Sequence, residues 1–171
     1  MTATTITKDN LYSQPSINIF TILDTRANIA DPRDGTGARK FVYDSDPFQK
    51  AFDFAGMPYI ICEDGILALP EDKSANAKVQ NLNWLQKITI RTVKGGSSDT
   101  RTDAGITDMR TIMNSLIKTI NTTSIKGTLR GYNQFNVEIN ITNTTPTTIN
   151  QRVLYETTAE IIYSTRIAVS A

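Results

Sequence analysis

The chain contains no histidine at all. That absence removes the usual base of Ser-His-Asp and Cys-His catalysis, and the commonest transition-metal ligand with it. Cysteine is nearly absent too. Cys62 stands alone, so no intrachain disulfide can form, and its place inside Tyr59-Ile60-Ile61-Cys62 marks a small buried hydrophobe. No apolar run approaches the roughly 20 residues that span a bilayer. The opening Met1-Thr2-Ala3-Thr4-Thr5 has neither the basic nor the apolar part of a signal peptide, so a soluble protein, made and kept in the cytosol, is expected. An excess of charge of one sign is also missing. Eighteen Lys and Arg against 17 Asp and Glu give a formal charge of +1, short of the basic excess that phosphate neutralisation on nucleic acid requires.

Signs of small-molecule chemistry are equally sparse. Gly35-Thr36-Gly37 and Gly95-Gly96 are the Gly-rich spots, and neither has the strand-to-helix spacing with a closing Lys-Ser/Thr that cradles phosphates. The carboxylate pairs Asp44/Asp46, Glu63/Asp64 and Glu71/Asp72 all fall in stretches that read as solvated turns. Asp31, Asp34, Asp44 and Asp46 lack the one-three-five spacing and closing Glu of a calcium loop. No enzyme, cofactor or metal is expected.

What is present is ordinary globular material: 171 residues, 39% hydrophobic and 20% charged, enough for one stable core. Residues 1–14 are polar and aperiodic and read as a flexible arm. Residues 15–171 read as a single domain. Pro15 favours a helix start after Ser13 or at Ser16, and Ile17, Phe20, Leu23 and Ala27 recur at helical spacing. Residues 31–40 combine Pro, Gly and charge as an exposed loop. Residues 41–54 carry Phe41, Tyr43, Phe48, Phe52 and Phe54 among Asp44, Asp46 and Asp53, which points to packing over a sheet edge or to a partner-facing segment.

Two short apolar strands, 59–62 and 66–69, flank the turn Glu63-Asp64-Gly65, and 70–81 reads as a loop. From 82 to 93, Leu82, Trp84, Ile88 and Ile90 alternate with Lys87, Thr89 and Arg91, a strand with one buried and one wet side. Ile106, Met109, Ile112, Met113, Leu116, Ile117 and Ile120 then mark a helix that must pack on a sheet. Phe135, Val137, Ile139 and Ile141 alternate as a strand. After a turn at 143–148, a long final strand turns Val153, Tyr155, Ala159, Ile161, Tyr163 and Ile167 inward, with Glu156, Thr158, Glu160, Ser164 and Arg166 outward. The expected fold is α+β: an antiparallel sheet with helices packed on one face and a long C-terminal β-hairpin, the last strand offering a free edge.

This order of elements, an N-terminal helix, the strand Pro58-Tyr59-Ile60-Ile61-Cys62, the strand Lys87-Ile88-Thr89-Ile90-Arg91-Thr92-Val93, the helix 106–120 and the closing pair around 133–141 and 153–167, resembles the tail-terminator or tail-completion proteins of long-tailed bacteriophages. The resemblance spans residues 16–167 and is one of pattern and size. It implies a structural virion protein of the neck, assembled in the host cytoplasm. There a homohexameric ring caps the tail tube, ends its polymerisation and joins tail to head connector. The implied partners are further copies of the chain, the tail tube protein and a head connector or stopper protein, with DNA only as cargo passing through the ring and no membrane.

Carried over by location, the implied interface residues are Arg33, Arg39, Lys40, Tyr43 and Phe48 near the first loop, Lys73 and Lys78 in 70–81, and Glu156, Glu160 and Arg166 on the last strand. The long front end fits another head-tail connector or neck subunit as well. A nucleic-acid-binding module is the alternative from a different class, resting on Arg33, Arg39 and Lys40 with Lys87, Arg91 and Lys94.

Overall fold

The computed structural model describes residues 2–7, 9–25, 27–33, 39–47, 57–68, 79–94 and 104–168. Three helices pack against a seven-stranded, mostly antiparallel sheet, the α+β arrangement expected. Its centre is the pairing of β4 (Val79–Val93) with β7 (Arg152–Ala168), antiparallel over 15 residues from Val79 opposite Ala168 to Val93 opposite Leu154. Each of these strands carries two shorter strands laid end to end along its outer side. β2 (Tyr59–Cys62) and β3 (Ile66–Ala68) flank β4, and β5 (Gln134–Ile141) and β6 (Thr145–Ile149) flank β7. β1 (Val42–Tyr43) adds to β2 in parallel.

Two expectations about the C-terminal hairpin change. The stretch expected to be its turn, 143–148, contributes β6, and the chain reverses at Asn150-Gln151 instead. Both residues have positive φ, 49° and 62°, as a two-residue loop matched to strand twist requires. Turn chemistry spread through an Asn- and Thr-rich stretch hid that pair. The last strand also has no free edge, because β4 and β5–β6 occupy its two sides. Glu156, Glu160 and Arg166 therefore do not lie on a free sheet edge. Among the described residues, β5 and β6 form one outer margin of the sheet. Pro146 lies in β6, where a strand without an inner-sheet role tolerates a missing N–H.

The helices lie on the face that carries Leu82, Trp84, Ile88, Ile90, Ile161 and Tyr163. Ile19 and Leu23 of α1 (Gln14–Leu23), Met109, Ile112, Leu116 and Ile120 of α2 (Ala104–Asn121), and Leu129 of α3 (Thr123–Gly131) complete this core. α1 buries Ile19 and Ile22 rather than the Ile17–Phe20 side, because its five large apolar residues surround the axis and no single stripe dominates. α3 escaped the sequence reading, as only Ile125 and Leu129 break a run of Thr, Ser, Lys and Gly. Three polar contacts beneath α1 join it to the sheet or knit the sheet there: Gln86 Nε2 donates to Cys62 Sγ at 3.1 Å, Trp84 Nε1 to Thr165 Oγ1 at 2.9 Å, and the Gly65 amide to Ser16 Oγ at 2.7 Å.

The N-terminal stretch is packed rather than detached. Asn18 clasps Thr4 through its side-chain amide, accepting from the Thr4 N–H at 2.9 Å and donating to the Thr4 carbonyl at 3.0 Å. The Ile6 N–H donates to the Tyr132 carbonyl, and the Ile6 side chain is buried in the core. An amide side chain here replaces a neighbouring strand, a device invisible to apolar periodicity.

The start of α2 is locked to the end of β4. Thr92 Oγ1 donates to the Gly105 carbonyl at 2.6 Å, and a Cβ at Gly105 would lie 2.6 Å from the Lys94 nitrogen and 2.7 Å from the Val93 carbonyl carbon. Backbone cannot retreat as a flexible side chain can. Gly105→Ala is expected to lower stability by about 1–3 kcal/mol, read by urea unfolding; an unchanged midpoint would mean that this junction is looser than it looks.

Candidate interaction surface

The opposite, helix-free face is built from the other side chains of the same strands. At the end of the ladder nearest the hairpin turn, Tyr59, Ile61, Val93, Leu154 and Met57 form a second, smaller apolar cluster with Tyr43 and Ile149 against it. Beside it lies Arg91, whose guanidinium is the hub of the face. Its Nε donates to Glu156 Oε2 at 2.6 Å, while Nη1 donates to Asp46 Oδ2 at 2.6 Å and to the Tyr59 hydroxyl at 3.3 Å.

Burial works against the charge of Arg91, but its hydrogen bonds to Tyr59, Glu156 and Asp46 outweigh it and hold its pKa above the ordinary arginine value. Burial pushes the Tyr59 hydroxyl up, against the opposing hydrogen bond from Arg91. Further along, Lys87 reaches Glu63 Oε1 at 3.6 Å, both half in water. A hollow of about 350 Å³ lies over this region, lined by Asp44, Asp46, Glu63, Asp64, Lys87 and Arg91 among others.

The structure thus gathers two of the carboxylate pairs noted in the sequence, Asp44/Asp46 and Glu63/Asp64, around one hollow. Glu71/Asp72 lies outside the described residues. Among the described residues no group of three or more acidic or cysteine side chains is disposed to hold a metal ion, and no helix is long and apolar enough to cross a membrane. Burial raises the Cys62 thiol well above its ordinary value, so the thiolate that nucleophilic chemistry requires is disfavoured.

The residues singled out for an interface fare differently. Arg33 donates through Nε to Asp108 Oδ2 at 2.6 Å and through Nη2 to the Val93 carbonyl at 3.2 Å, tying the first loop to α2 and β4. Arg39 grips the buried Asp31 carboxylate and donates to the Pro58 carbonyl at 2.8 Å. These two arginines brace the domain from within, so 31–33 and 39–40 are not a detachable appendage. Lys40 lies 4.9 Å from the centroid of the Tyr43 ring, and Tyr43 meets Tyr59 edge to face.

Glu156 and Glu160 both project from β7 onto the helix-free face, where Glu156 meets Arg91 and Glu160 lies beside Lys87 in the next strand. Arg166 stacks 5.4 Å over Phe135. Phe48, Lys73 and Lys78 lie outside the described residues. In the sequence Arg91 was legible as one member of an alternating wet side and of the basic set behind the nucleic-acid alternative, but not as a hub. Tyr59, Glu156 and Asp46 come from β2, β7 and the segment after β1, which no local pattern connects.

No protein-family model matches the chain, and no curated protein sequence matches it significantly.

The two ion pairs on this face differ in worth. Arg91 is 17% exposed and tied to two carboxylates, whereas Lys87 and Glu63 are close to half exposed and 3.6 Å apart. Arg91→Met is expected to cost about 1–3 kcal/mol, since it strands half-buried acceptors, and Lys87→Met at most about 0.5 kcal/mol. Parallel urea titrations check this, and equal losses would contradict the hub role of Arg91.

Proposed function

We propose that the chain is a structural subunit of the phage neck, working through protein–protein surfaces: a ring of copies that caps the tail tube, ends its polymerisation and presents a docking surface to the head connector. The observation that carries this reading is the division of the sheet into two unlike faces. One is sealed by α1, α2 and α3, while the other sets Lys87, Arg91, Glu156 and Glu160 on the two longest strands. A rigid ladder with charged side chains at fixed spacing suits a subunit that must hold register with neighbours. Support also comes from the element order on which the resemblance rests, with α1, β2, β4, α2 and the antiparallel β5–β7 pair in the expected sequence.

Termination requires asymmetry: one side of the ring complements the tube, and the other does not repeat the tube's own contact. In this reading the contacts come from the loops around Lys40 and Tyr43 and from the helix-free face, not from an edge of β7. The experiment is to add the purified chain to growing tail tubes and image their ends. Capped ends with arrested length are expected, and bare ends with unaltered growth would contradict the assignment.

A further inference from the structure

The helix-free face carries an apolar stripe that neither the core nor the Arg91 hub uses. Ile66 of β3 lies directly opposite Leu85 of β4, and Leu85 directly opposite Ile162 of β7. Three neighbouring strands therefore place one aliphatic side chain each in a single row across the sheet. Ile66 is 71% exposed, one of the few large apolar side chains in the described residues left in water. Leu85 and Ile162 are partly covered. Isolated exposed aliphatics are common, but a row in direct register is a continuous strip.

Between the strip and the hairpin turn the charges are sorted by strand, while on the strip's other side β7 carries Arg166 opposite Asn81. β4 contributes the cations Lys87 and Arg91, and β7 contributes the anions Glu160 and Glu156 at the positions directly opposite them. Cations and anions therefore form two parallel columns, one on each side of a line drawn between β4 and β7. A two-fold axis along that line turns a second copy over so that its β4 lies against the first copy's β7. Heights along the strands are unchanged, so each Leu85 meets the second copy's Ile162 and each Lys87 faces the second copy's Glu160, while Ile66 comes opposite Glu138, which β5 places next to Ile162 in the same row.

We propose that this chain pairs with a second copy of itself, sheet against sheet, through Leu85 and Ile162 at the centre of this strip, about a two-fold axis parallel to β4 and β7. The pairing is isologous: the same patch serves both copies, and two copies complete it. Aligned packing of twisted sheets, about 10 Å apart, is the ordinary geometry for such faces. The row containing Lys87 and Glu160 sets the pairing apart from simple apolar adhesion, because its charges are complementary only in this orientation. A ring joins unlike patches, so the pairing neither requires the ring reading nor follows from it.

The test measures the mass of the full chain by light scattering over a range of concentrations, with circular dichroism confirming that each variant is folded. The wild-type chain is expected at twice its 18.9 kDa mass, and Leu85→Ser combined with Ile162→Ser at the single-chain mass. Lys87→Glu alone and Glu160→Lys alone are each expected to lose the doubled mass. Mixing those two variants in equal amounts restores it, since one then presents two carboxylates and the other two ammonium groups. Interactions within one chain cannot produce that recovery.

A wild-type chain that stays single, or a mixture that does not recover, overturns the pairing. A six-copy assembly unaffected by the serine substitutions also overturns it while leaving the ring reading intact. A doubled mass with the charge-dependent recovery, in a chain that ignores tail tubes, upholds the pairing and removes the ring reading.

Discussion

Fifteen consecutive residues of β4 pair with β7, and every other strand of the sheet except β1 pairs with one of these two. Strands of about five or six residues are usual, so a ladder of this length is a constraint in itself. A shift of one residue would exchange every inward and outward side chain along it. Trp84 and Tyr163, directly opposite each other and both buried, would then enter water, and Lys87 and Glu160 would enter the core. That penalty fixes the register. The short strands β2, β3, β5 and β6 are placed by pairing along a frame whose register is already set.

The same alternation that seals one face creates the other. Apolar residues at even positions of β4 and odd positions of β7 receive the helices, while the intervening residues, among them Lys87, Arg91, Glu156 and Glu160, are carried outward at fixed spacing. Arg91 then draws Asp46 and Glu156 together and closes over Tyr59. The loop arginines do the corresponding work elsewhere: Arg33 ties its loop to Asp108 of α2, and Arg39 holds Asp31 against the Pro58 carbonyl. Three of the cations that looked available for a partner, Arg33, Arg39 and Arg91, thus hold the fold together.

Elements with strong periodicity were legible in the sequence. The two faces of β4, the inward set of β7 and the body of α2 could be read because a buried face repeats at two residues in a strand and at three or four in a helix. What escaped was organised by contacts distant in sequence or by polar groups. α3 has two anchoring apolar residues and is held against β5. The N-terminal stretch is held by Asn18, and the chain reversal depends on Asn150 and Gln151 accepting positive φ. The surface was legible in part: the outward side of β7 could be listed residue by residue, but its central rather than marginal position depends on β5 and β6 filling its second side. The Ile66–Leu85–Ile162 strip could not be read locally, because it exists only in the register between three strands.

If the β4–β7 ladder is the frame of the domain, its backbone hydrogen bonds open only when the whole domain unfolds. Native-state hydrogen exchange resolved by residue is the direct measurement. The account expects the amides from Trp84 to Ile90 and from Ala159 to Tyr163 to exchange last and together, at a free energy equal to that of global unfolding, with β1, β3 and β6 opening earlier. Ladder amides that exchange before those of α2 would contradict it, and would make the helix layer rather than the strand pair the element on which the structure depends.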